Sequence, residues 1–311
     1  MDYRRLGDSG LKVSEIGLGC NNFGMRIDQE GTNAVIAAAI DHGVTFMDTA
    51  DVYGGQGKSE EMMGVALKGR RHEVILATKF ASPMGAPDKQ GGSRRYIMEA
   101  VEASLKRLQT DYIDLYQMHM PDPDTPIEET LSALDDLVTQ GKVRYVGNSN
   151  FTGWMIADAD WTARDEHLSR FVSAQNNYSL LERRVEHEVN PACERFGLGM
   201  LPYFPLASGL LSGKYTRGEA PPEGTRLANF GPRAAAALND NNFDKLDRLT
   251  AWAQERGHTL LELAFAWLLG HKVVSSVIAG ATSPEQVTAN AATAEWRLTA
   301  EEVAEVTALV K

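Results

Sequence analysis

The chain contains only two cysteines, Cys20 and Cys193, and they lie far apart in its 311 residues. Two distant cysteines indicate neither a disulfide framework nor a cysteine-rich zinc site. The sequence also lacks a run of about 18 apolar residues, the length that spans a membrane, and no apolar signal-peptide core follows Met1. These absences predict a cytoplasmic protein without a bound metal and without a membrane-spanning segment.

Positive charge is in deficit as well. The formal net charge is -11, from 31 Lys and Arg residues against 42 Asp and Glu residues. Such a balance repels nucleic acid and anionic membranes at long range, although a local basic cluster can still hold an anionic small molecule. We therefore expect a small-molecule partner, with no nucleic acid and no membrane, and the oligomeric state stays open.

Two common glycine-rich nucleotide motifs are also missing. Gly17-Leu18-Gly19 is followed by the next glycine only at Gly24, which breaks the GxGxxG spacing of a Rossmann site. Gly57-Lys58-Ser59 lacks the upstream glycine of a phosphate-binding loop, because Val52 occupies that position. The sequence therefore disfavours an open, doubly wound dinucleotide-binding sheet.

What the chain does contain is an alternation of short β-rich apolar runs with longer stretches of helical period. Arg94 to Leu108 is a clear helix, because Ile97, Val101 and Leu105 recur on one face. The predicted strands are Ile16 to Gly19, Val44 to Met47, Val74 to Lys79, Tyr112 to His119, Val143 to Asn148, Phe171 to Gln175, Met200 to Phe204 and Val273 to Ile278. Eight strand-helix units favour an α/β fold, a (β/α)8 TIM barrel forming a single domain over residues 1–311.

Two predicted helix starts carry capping patterns. Thr125-Pro126-Ile127-Glu128 predicts an N-cap, a first-turn proline and a capping-box glutamate, and Ser283-Pro284-Glu285-Gln286 repeats the pattern with glutamine. A helix N-terminus presents free N–H groups and a positive dipole end to phosphate, so the second start is a candidate phosphate site. A simple capping box would show the same pattern.

Four polar residues follow three successive predicted strands: Asp48 and Tyr53, then Lys79, then His119. The C-terminal strand ends of a barrel share one rim, so these side chains are expected to converge. Each has an ordinary explanation when taken alone, as a cap, a loop aromatic, a solvated end residue or a rim histidine. Their joint pattern predicts an active site.

The chemistry of this set is that of a proton donor to a carbonyl oxygen. We expect the Lys79 ammonium to lower the pKa of Tyr53 toward the working pH, and Asp48 to keep Lys79 charged and in position. His119 would hydrogen-bond near the carbonyl oxygen and orient the substrate. The set needs neither a nucleophile nor a metal to assist a carbonyl that becomes an alkoxide.

Two segments carry a family resemblance. Gly43 to Gly54 and Asp111 to His119 closely resemble motifs of the aldo-keto reductase family, and the resemblance extends from Leu6 to Gln286. It implies a (β/α)8 barrel in which Asp48, Tyr53, Lys79 and His119 are catalytic. It also implies reduction of aldehydes or ketones to alcohols by direct hydride transfer, with Tyr53 as the general acid. The chain is more similar to bacterial-type members and potassium-channel β subunits than to mammalian steroid and sugar reductases.

The resemblance further implies an extended nicotinamide dinucleotide, usually NADPH, lying across the barrel mouth without a Rossmann domain. Ser149, Asn150 and Gln175 match the groups that hydrogen-bond the carboxamide, and Tyr203 matches the aromatic residue that stacks on the nicotinamide ring. The family commonly has serine where this chain has Phe204, which leaves a backbone contact there. The implied cofactor contacts are Gly19, Cys20, Asn21, Asp48, Ser149, Asn150, Gln175, Tyr203, Phe204, Pro205, Leu206, Ala207, Ser208, Gly209, Lys214, Arg226, Gly280, Thr282, Gln286 and Asn290.

Cofactor choice and substrate contacts are less well defined. NADPH-specific relatives place an arginine or lysine near the helix that starts at Ser283, and this chain has none there. Arg226 is expected to compensate, and NADH is kept as an alternative cofactor. Mostly apolar residues at the rim are expected to contact the carbonyl substrate. The predicted substrate residues are Phe23, Tyr53, Met84, His119, Met120 and Phe151.

Two other functions stay open at this point. One is a cofactor-binding regulatory or redox-sensor subunit with little turnover, as in the channel β subunits. Those proteins carry asparagine at the position of His119, which argues against this alternative. The other is a barrel enzyme that uses carboxylates, such as a glycosidase, which would leave Lys79, Tyr203 and the Ser283 segment without a role. The physiological substrate and the preferred reaction direction are not predicted.

Overall fold

Eight parallel strands form a closed barrel in this computed structural model, which describes residues 1–230, 234 and 237–310. The barrel strands are β3 Ile16–Gly19, β4 Phe46–Asp48, β5 Ile75–Phe80, β6 Ile113–Met118, β7 Val143–Ser149, β8 Phe171–Gln175, β9 Gly199–Met200 and β10 Val277–Gly280, and a separate antiparallel hairpin consists of β1 Tyr3–Arg5 and β2 Lys12–Ser14. In the main sheet β10 lies beside β3, and β3 to β9 follow in chain order. Positions 231–233, 235–236 and 311 of the predicted domain lie outside the described residues.

Hydrogen bonds close the ring between β9 with the residues that follow it and β10 with the residues that precede it. The Met200 amide donates to the Val273 carbonyl at 2.8 Å, and the Ser275 amide donates back to Met200 at 2.9 Å. Further along, the Ile278 amide donates to the Pro202 carbonyl at 3.0 Å. The predicted (β/α)8 barrel is therefore confirmed.

Helices surround this barrel, and all of the following except the short α2 bury apolar residues. They are α1 Gln29–Asp41, α2 Tyr53–Gln56, α3 Lys58–Ala66, α4 Arg94–Leu108, α5 Ile127–Thr139, α6 Gly153–Asp165, α7 Val189–Phe196, α8 Asp240–Gln254, α9 Leu260–Leu269, α10 Pro284–Ala292 and α11 Ala300–Leu309. Helix α4 has the predicted bounds, because Ser93 caps its first turn and Ile97, Val101 and Leu105 are buried on one face. No helix among these is long and apolar enough to cross a membrane.

The interior of the barrel has its own small apolar cluster. Phe46, Ala77 and Leu115 contribute to it from three adjacent strands, since alternate residues of a strand point to the same side. The hairpin of β1 and β2, which the sequence analysis missed, adds Leu6 and Val13. The hairpin thus covers the end of the barrel where the strands begin, and leaves the other end for the site.

Two predictions about where elements end or begin are wrong, one for a strand and one for the cap of a helix. Strand β9 stops at Met200 rather than Phe204, and only an isolated bridge between Asn177 and Tyr203 continues the pairing. Helix α5 begins after Pro126 with no side-chain cap. The Thr125 hydroxyl, expected to cap it, donates instead to Asp122 at 2.8 Å. A nearby carboxylate therefore takes the hydroxyl that the local pattern assigns to the helix.

Gly147 offers a test of the packing inside the barrel. A Cβ atom there would overlap Ser173 Oγ and lie 3.3 Å from Gln117 Cγ. We expect Gly147→Ala to destabilise the fold by about 1–3 kcal/mol, because a well-packed core has no room for an added methyl group. Urea unfolding should show a lower midpoint than that of the unchanged chain. Ser173→Ala in the same chain should recover part of the loss, because it removes the overlapping atom.

Gly10→Ala is the matched control, since the nearest atom to its Cβ would be Tyr145 Oη at 3.7 Å. Its effect should stay within about 1 kcal/mol. Equal unfolding midpoints for the Gly147 and Gly10 variants would contradict the packing described for the barrel interior.

Candidate active site

The C-terminal ends of the barrel strands gather the predicted polar residues at one rim. Asp48 is the last residue of β4, Lys79 lies one residue before the end of β5, and His119 directly follows β6. Tyr53 begins the short helix α2, on the same connection as Asp48. Other predicted residues also end strands at this rim: Gly19, Ser149, Gln175 and Gly280. The structure therefore brings together the four residues that the sequence singled out.

A buried ion pair lies at the centre of this rim. Lys79 Nζ donates to Asp48 Oδ2 at 2.6 Å and to the Thr49 carbonyl at 2.8 Å. The other carboxylate oxygen, Asp48 Oδ1, accepts from Gln175 Nε2 at 2.9 Å and from Gln117 Nε2 at 3.1 Å. Burial alone would lower the pKa of Lys79, but the charge of Asp48 and its hydrogen bond to Lys79 raise it above its ordinary value. Lys79 is thus a fully buried cation held in one position.

Tyr53 lies beside this cation. Lys79 Nζ is 5.1 Å from the centre of the Tyr53 ring. Lys79 lowers the pKa of Tyr53 as expected, but the net pKa lies above its ordinary value rather than below it. Burial raises the pKa of Tyr53, and the opposing effect of Lys79 does not overcome it. Tyr53 therefore carries its proton throughout the neutral range, and Lys79 makes the loss of that proton less unfavourable.

His119 completes the group on the other side of Tyr53. Its ring meets the Tyr53 ring edge-on, with centres 5.7 Å apart. Burial and the nearby Lys79 lower the pKa of His119 to about 3, so its imidazole is neutral at working pH. Ser82 Oγ lies 3.0 Å from Nδ1, and this contact leaves Nε2 as the other ring nitrogen that can bind a ligand.

Asn150 connects the His119 loop with the predicted nicotinamide-stacking residue. Its amide nitrogen donates to the His119 carbonyl at 3.0 Å, and its oxygen accepts from the Tyr203 hydroxyl at 2.8 Å. Ser149 Oγ donates to the Gln175 carbonyl at 2.9 Å. The three predicted carboxamide groups and Tyr203 thus form one hydrogen-bonded edge of the mouth. In this arrangement the Gln175 side chain is engaged by Asp48.

The loop after β9 has an unusual backbone. Phe204, Ala207 and Ser208 all have positive φ, at 53°, 46° and 61°, as does Gly209 at 97°. Residues other than glycine adopt this region at a cost of about 1–3 kcal/mol, and such residues cluster at functional sites. Hydrogen bonds from the Ala207 amide to Phe204 and from the Gly209 amide to Leu206, both 2.8 Å, hold the loop in this shape.

Three cations lie around this loop without an acidic partner among the described residues: Arg26, Lys214 and Arg226. The guanidinium of Arg226 lies 4.4 Å from the centre of the Phe204 ring, and Arg26 donates to the Gly224 carbonyl. Burial and the like charge of Arg26 lower the pKa of Arg226. Cations with no carboxylate beside them leave the mouth locally positive in an acidic protein.

The start of α10 differs from the predicted capping box. Ser283 is the N-cap residue, as expected, but its side chain makes no cap hydrogen bond. Gln286 Oε1 accepts from the Thr282 amide at 2.9 Å rather than from Ser283. The Ser283 side chain therefore caps no N–H group of the first turn, while the Glu285 carboxylate accepts hydrogen bonds from Ser283 and from its own amide.

The ends of β3 and β10 lie against each other beside this helix. Asn22 Nδ2 donates to the Ala281 carbonyl at 3.2 Å, and the Cys20 amide donates to the Asp48 carbonyl at 2.8 Å. A Cβ atom on Gly280 would lie 3.1 Å from Asn22 Nδ2 and 3.4 Å from Asn21 Oδ1. The predicted residues Gly19, Cys20, Asn21, Gly280 and Thr282 are thus neighbours, while Asn290 is buried at the far end of α10.

The predicted substrate residues are only partly at the rim. Phe23 and Phe151 are 0% and 3% exposed and pack within the core between barrel and helices, so their assignment to a substrate wall is corrected. Phe151 instead meets Phe171 edge-on. Met120 is 47% exposed and its sulfur accepts from Asn150, and Met84 is half-buried.

Gln117 and Ser82 are parts of the site that the sequence analysis missed. Gln117 lies two residues before His119, and the alternation of strand side chains predicts that both face the barrel interior. A polar residue on the same side of the strand as His119 was a usable signal. Ser82 lies beyond the end of β5 and left no such signal. No group of metal-binding side chains occurs in the described part of the chain.

Comparison with known proteins identifies the family of this chain. Residues 15–311 match the aldo/keto reductase family. The uncharacterized oxidoreductase YrpG of Bacillus subtilis (strain 168) is 39% identical over 298 residues, or 92% of this chain and 89% of that protein. A probable voltage-gated potassium channel subunit beta of Arabidopsis thaliana is 38% identical over 297 residues, or 93% of this chain and 90% of that protein. The versiconal hemiacetal acetate reductase of Aspergillus parasiticus is 34% identical over 332 residues, with 97% and 95% covered. The chain belongs to the aldo/keto reductase family.

Proposed function

We propose that this chain, acting as a single domain, reduces aldehydes or ketones to alcohols with NADPH, and that Tyr53 is the general acid. The observation that carries the proposal is the buried Lys79 and Asp48 pair facing Tyr53, with the neutral His119 beside it. A cation fixed behind a phenol is the arrangement that stabilises a phenolate after proton donation. Membership of a family of oxidoreductases agrees with this chemistry.

The residues at the mouth fit a dinucleotide with a pyrophosphate and a phosphorylated ribose. Arg26, Lys214 and Arg226 are cations without carboxylate partners among the described residues, and the Ser283 side chain caps no N–H group at the start of α10. Tyr203 offers a half-buried ring beside Asn150 for the nicotinamide. When bound, the reduced nicotinamide supplies a hydride to the carbonyl carbon.

The hydride added to the carbonyl carbon is balanced by a proton that the carbonyl oxygen receives. Tyr53 Oη gives its proton to the oxygen as negative charge develops there, and the alcohol forms. The phenolate left on Tyr53 lies beside the Lys79 ammonium, which Asp48 keeps charged. His119, being neutral, donates a hydrogen bond to the same oxygen and orients the carbonyl toward Tyr53. Gln117 and Gln175 keep the Asp48 carboxylate from turning away from Lys79.

A second candidate function is a cofactor-binding regulatory or sensor subunit with little turnover. The specific observation in its favour is the 38% identity to a probable channel subunit beta. His119 favours the enzyme instead, because a neutral imidazole at the carbonyl oxygen has a role in reduction. The two functions differ in one measurement, which is turnover of bound NADPH by carbonyl compounds.

Tyr53→Phe tests the enzymatic assignment. We expect the unchanged chain to oxidise NADPH with members of a panel of aldehydes and ketones, followed by the loss of absorbance of NADPH. The variant should lose about 10²–10⁴-fold in kcat, the usual contribution of a positioned general acid. Its Kd for NADPH, from fluorescence titration, should stay close to that of the unchanged chain, because the hydroxyl serves the carbonyl and not the cofactor.

Tyr3→Phe is the matched control, since its hydroxyl binds the Gly43 carbonyl on the exposed surface at the other end of the barrel. It should change neither kcat nor Kd. Unchanged turnover in the Tyr53 variant would rule out the proposed acid. NADPH binding by the unchanged chain without turnover on any carbonyl would favour the sensor function.

His119→Asn tests the charge state of the imidazole. Because burial and Lys79 hold the pKa of His119 at about 3, its neutral form predominates at every pH from 5 to 9. The factor by which the variant reduces kcat/KM should therefore be the same at pH 5 and at pH 8. A factor that changes about tenfold per pH unit below about 6.5, the ordinary value for histidine, would show that the ring titrates.

Arg226→Ala tests the proposed contact with the 2′-phosphate of NADPH. We expect Kd for NADPH to rise about 10–100-fold, since a charge-assisted hydrogen bond contributes about 1.5–3 kcal/mol. Kd for NADH, which lacks that phosphate, should change much less. Arg95→Ala is the control, because Arg95 is 83% exposed and distant in the fold on α4. Equal losses for NADPH and NADH would instead assign Arg226 to the pyrophosphate.

A further inference from the structure

Behind the Asp48 to Tyr53 segment lies a second polar cluster, which the proposed mechanism does not use. Its carboxyl groups are Asp51 and Glu60, which are 1% and 0% exposed. Glu60 Oε2 accepts from Arg107 Nε at 2.6 Å, and Glu60 Oε1 accepts from the Thr78 hydroxyl at 2.5 Å. Both oxygens of Glu60 are therefore satisfied, and its charge is balanced by Arg107.

Asp51 has no comparable partner. Its carboxyl accepts a long hydrogen bond of 3.4 Å from the Tyr96 hydroxyl at Oδ2 and a backbone hydrogen bond from Val52, and Oδ1 has no hydrogen-bond partner among the described residues. The groups that face it are Glu60 on α3, Tyr96 and Arg107 on α4, and Tyr116 on β6. The one cation among them is already paired with Glu60. A buried carboxylate without its own cation is strongly unfavourable, so the arrangement favours the protonated form of Asp51.

Electrostatics agree with this geometry. Burial and the neighbouring charge of Glu60 raise the pKa of Asp51 to about 7, whereas Arg107 and Tyr96 act in the opposite direction. At slightly acid pH Asp51 is therefore neutral, and above neutrality it gains a charge inside a cluster that already holds one carboxylate.

Asp51 is also tied to the catalytic residues through the backbone. Its amide donates to the Lys79 carbonyl at 3.2 Å, and the Tyr53 amide donates to Ala50 at 3.2 Å. The Thr49 carbonyl accepts from Lys79 Nζ. On β5, Thr78 faces Glu60 while its neighbour Lys79 faces Asp48, since successive side chains point to opposite sides of a strand. A change in the position of Asp51 is therefore expected to displace both Lys79 and Tyr53, because backbone hydrogen bonds link Asp51 to Lys79 and Ala50 to Tyr53.

We propose that Asp51 is a positioning residue, whose neutral form keeps the Asp48 to Tyr53 segment packed against β5 and whose ionisation loosens that segment and withdraws Tyr53 from Lys79. The proposal rests on the proposed carbonyl reduction. It adds a group that controls the reaction without contacting substrate or cofactor. It also gives a role to Asp51, which is buried behind the proton donor beside Glu60 but, unlike Glu60, forms no ion pair with Arg107.

Asp51→Asn tests the proposal because asparagine keeps the shape but cannot ionise. The ratio of kcat/KM for this variant to that of the unchanged chain should rise about tenfold per pH unit above about 7. Taking the ratio removes every pH effect that the two proteins share. Asp51→Ala should be slower at every pH, mainly in kcat, and Asp51→Asn should recover most of that loss. Asp88→Asn removes an exposed charge and should give a flat ratio.

Variants of two residues that lie next to Asp51 should move the pH dependence of kcat/KM in opposite directions. Glu60→Gln removes the negative neighbour, so the decline of kcat/KM should move to lower pH. Tyr96→Phe removes the hydrogen-bond donor to Asp51, so the decline should move to higher pH. A purely structural role would lower activity in both variants without moving the decline.

Hydrogen exchange measured by mass spectrometry reports on the mobility of the same segment and does not require a substrate. Amides of residues 49–57 should exchange faster in the unchanged chain than in the Asp51→Asn variant at pH 8.5, and equally fast at pH 6. A flat kcat/KM ratio, or equal exchange at both pH values, would overturn the proposal. If no carbonyl is reduced at all, the proposed function fails, and the exchange difference alone then decides whether Asp51 controls the segment.

Discussion

The site is organised around one buried ion pair, between Lys79 and Asp48. Removing two such charges from water costs several kcal/mol per ion, so the pair persists only where the geometry is close and the remaining polar atoms are satisfied. Here the ions are 2.6 Å apart, and Gln117, Gln175 and the Thr49 carbonyl supply the additional hydrogen bonds. Asp48, Lys79, Gln117 and Gln175 come from β4, β5, β6 and β8, so the charge of Lys79 depends on the curvature that brings these strands around one point.

The two-residue period of a strand explains how a single element serves two polar layers. On β5, Ala77 and Lys79 face the barrel interior, where Ala77 joins the apolar cluster and Lys79 meets Asp48. Thr78, between them, faces outward and binds Glu60, which Arg107 holds from α4. The catalytic layer and the layer behind it are therefore fixed to the same backbone. Any change that shifts β5 alters both layers together.

The sequence was informative wherever a local period coincided with burial. Strands β3 and β8 and helix α4 have their predicted bounds, because nearly all of their apolar residues are at least partly buried. The four rim residues were predictable because strand ends of a barrel converge. The hairpin of β1 and β2 was missed because its three-residue strands show no period. The sign of the Tyr53 pKa was wrong for another reason, since burial, which depends on the whole fold, outweighs the single neighbour that the sequence suggested.

Net charge is a poor guide to what the mouth of this barrel attracts. The chain carries a formal charge of -11, yet Arg26, Lys214 and Arg226 lie at the mouth without acidic partners among the described residues. At physiological ionic strength a charge is screened within about 8 Å, so distant carboxylates contribute little there. Many arginines elsewhere are neutralised locally, as Arg217 is by Asp244 and Asp247. The potential at the mouth is therefore set by the cations left unpaired beside it, and an anionic ligand meets attraction in a protein whose overall charge repels it.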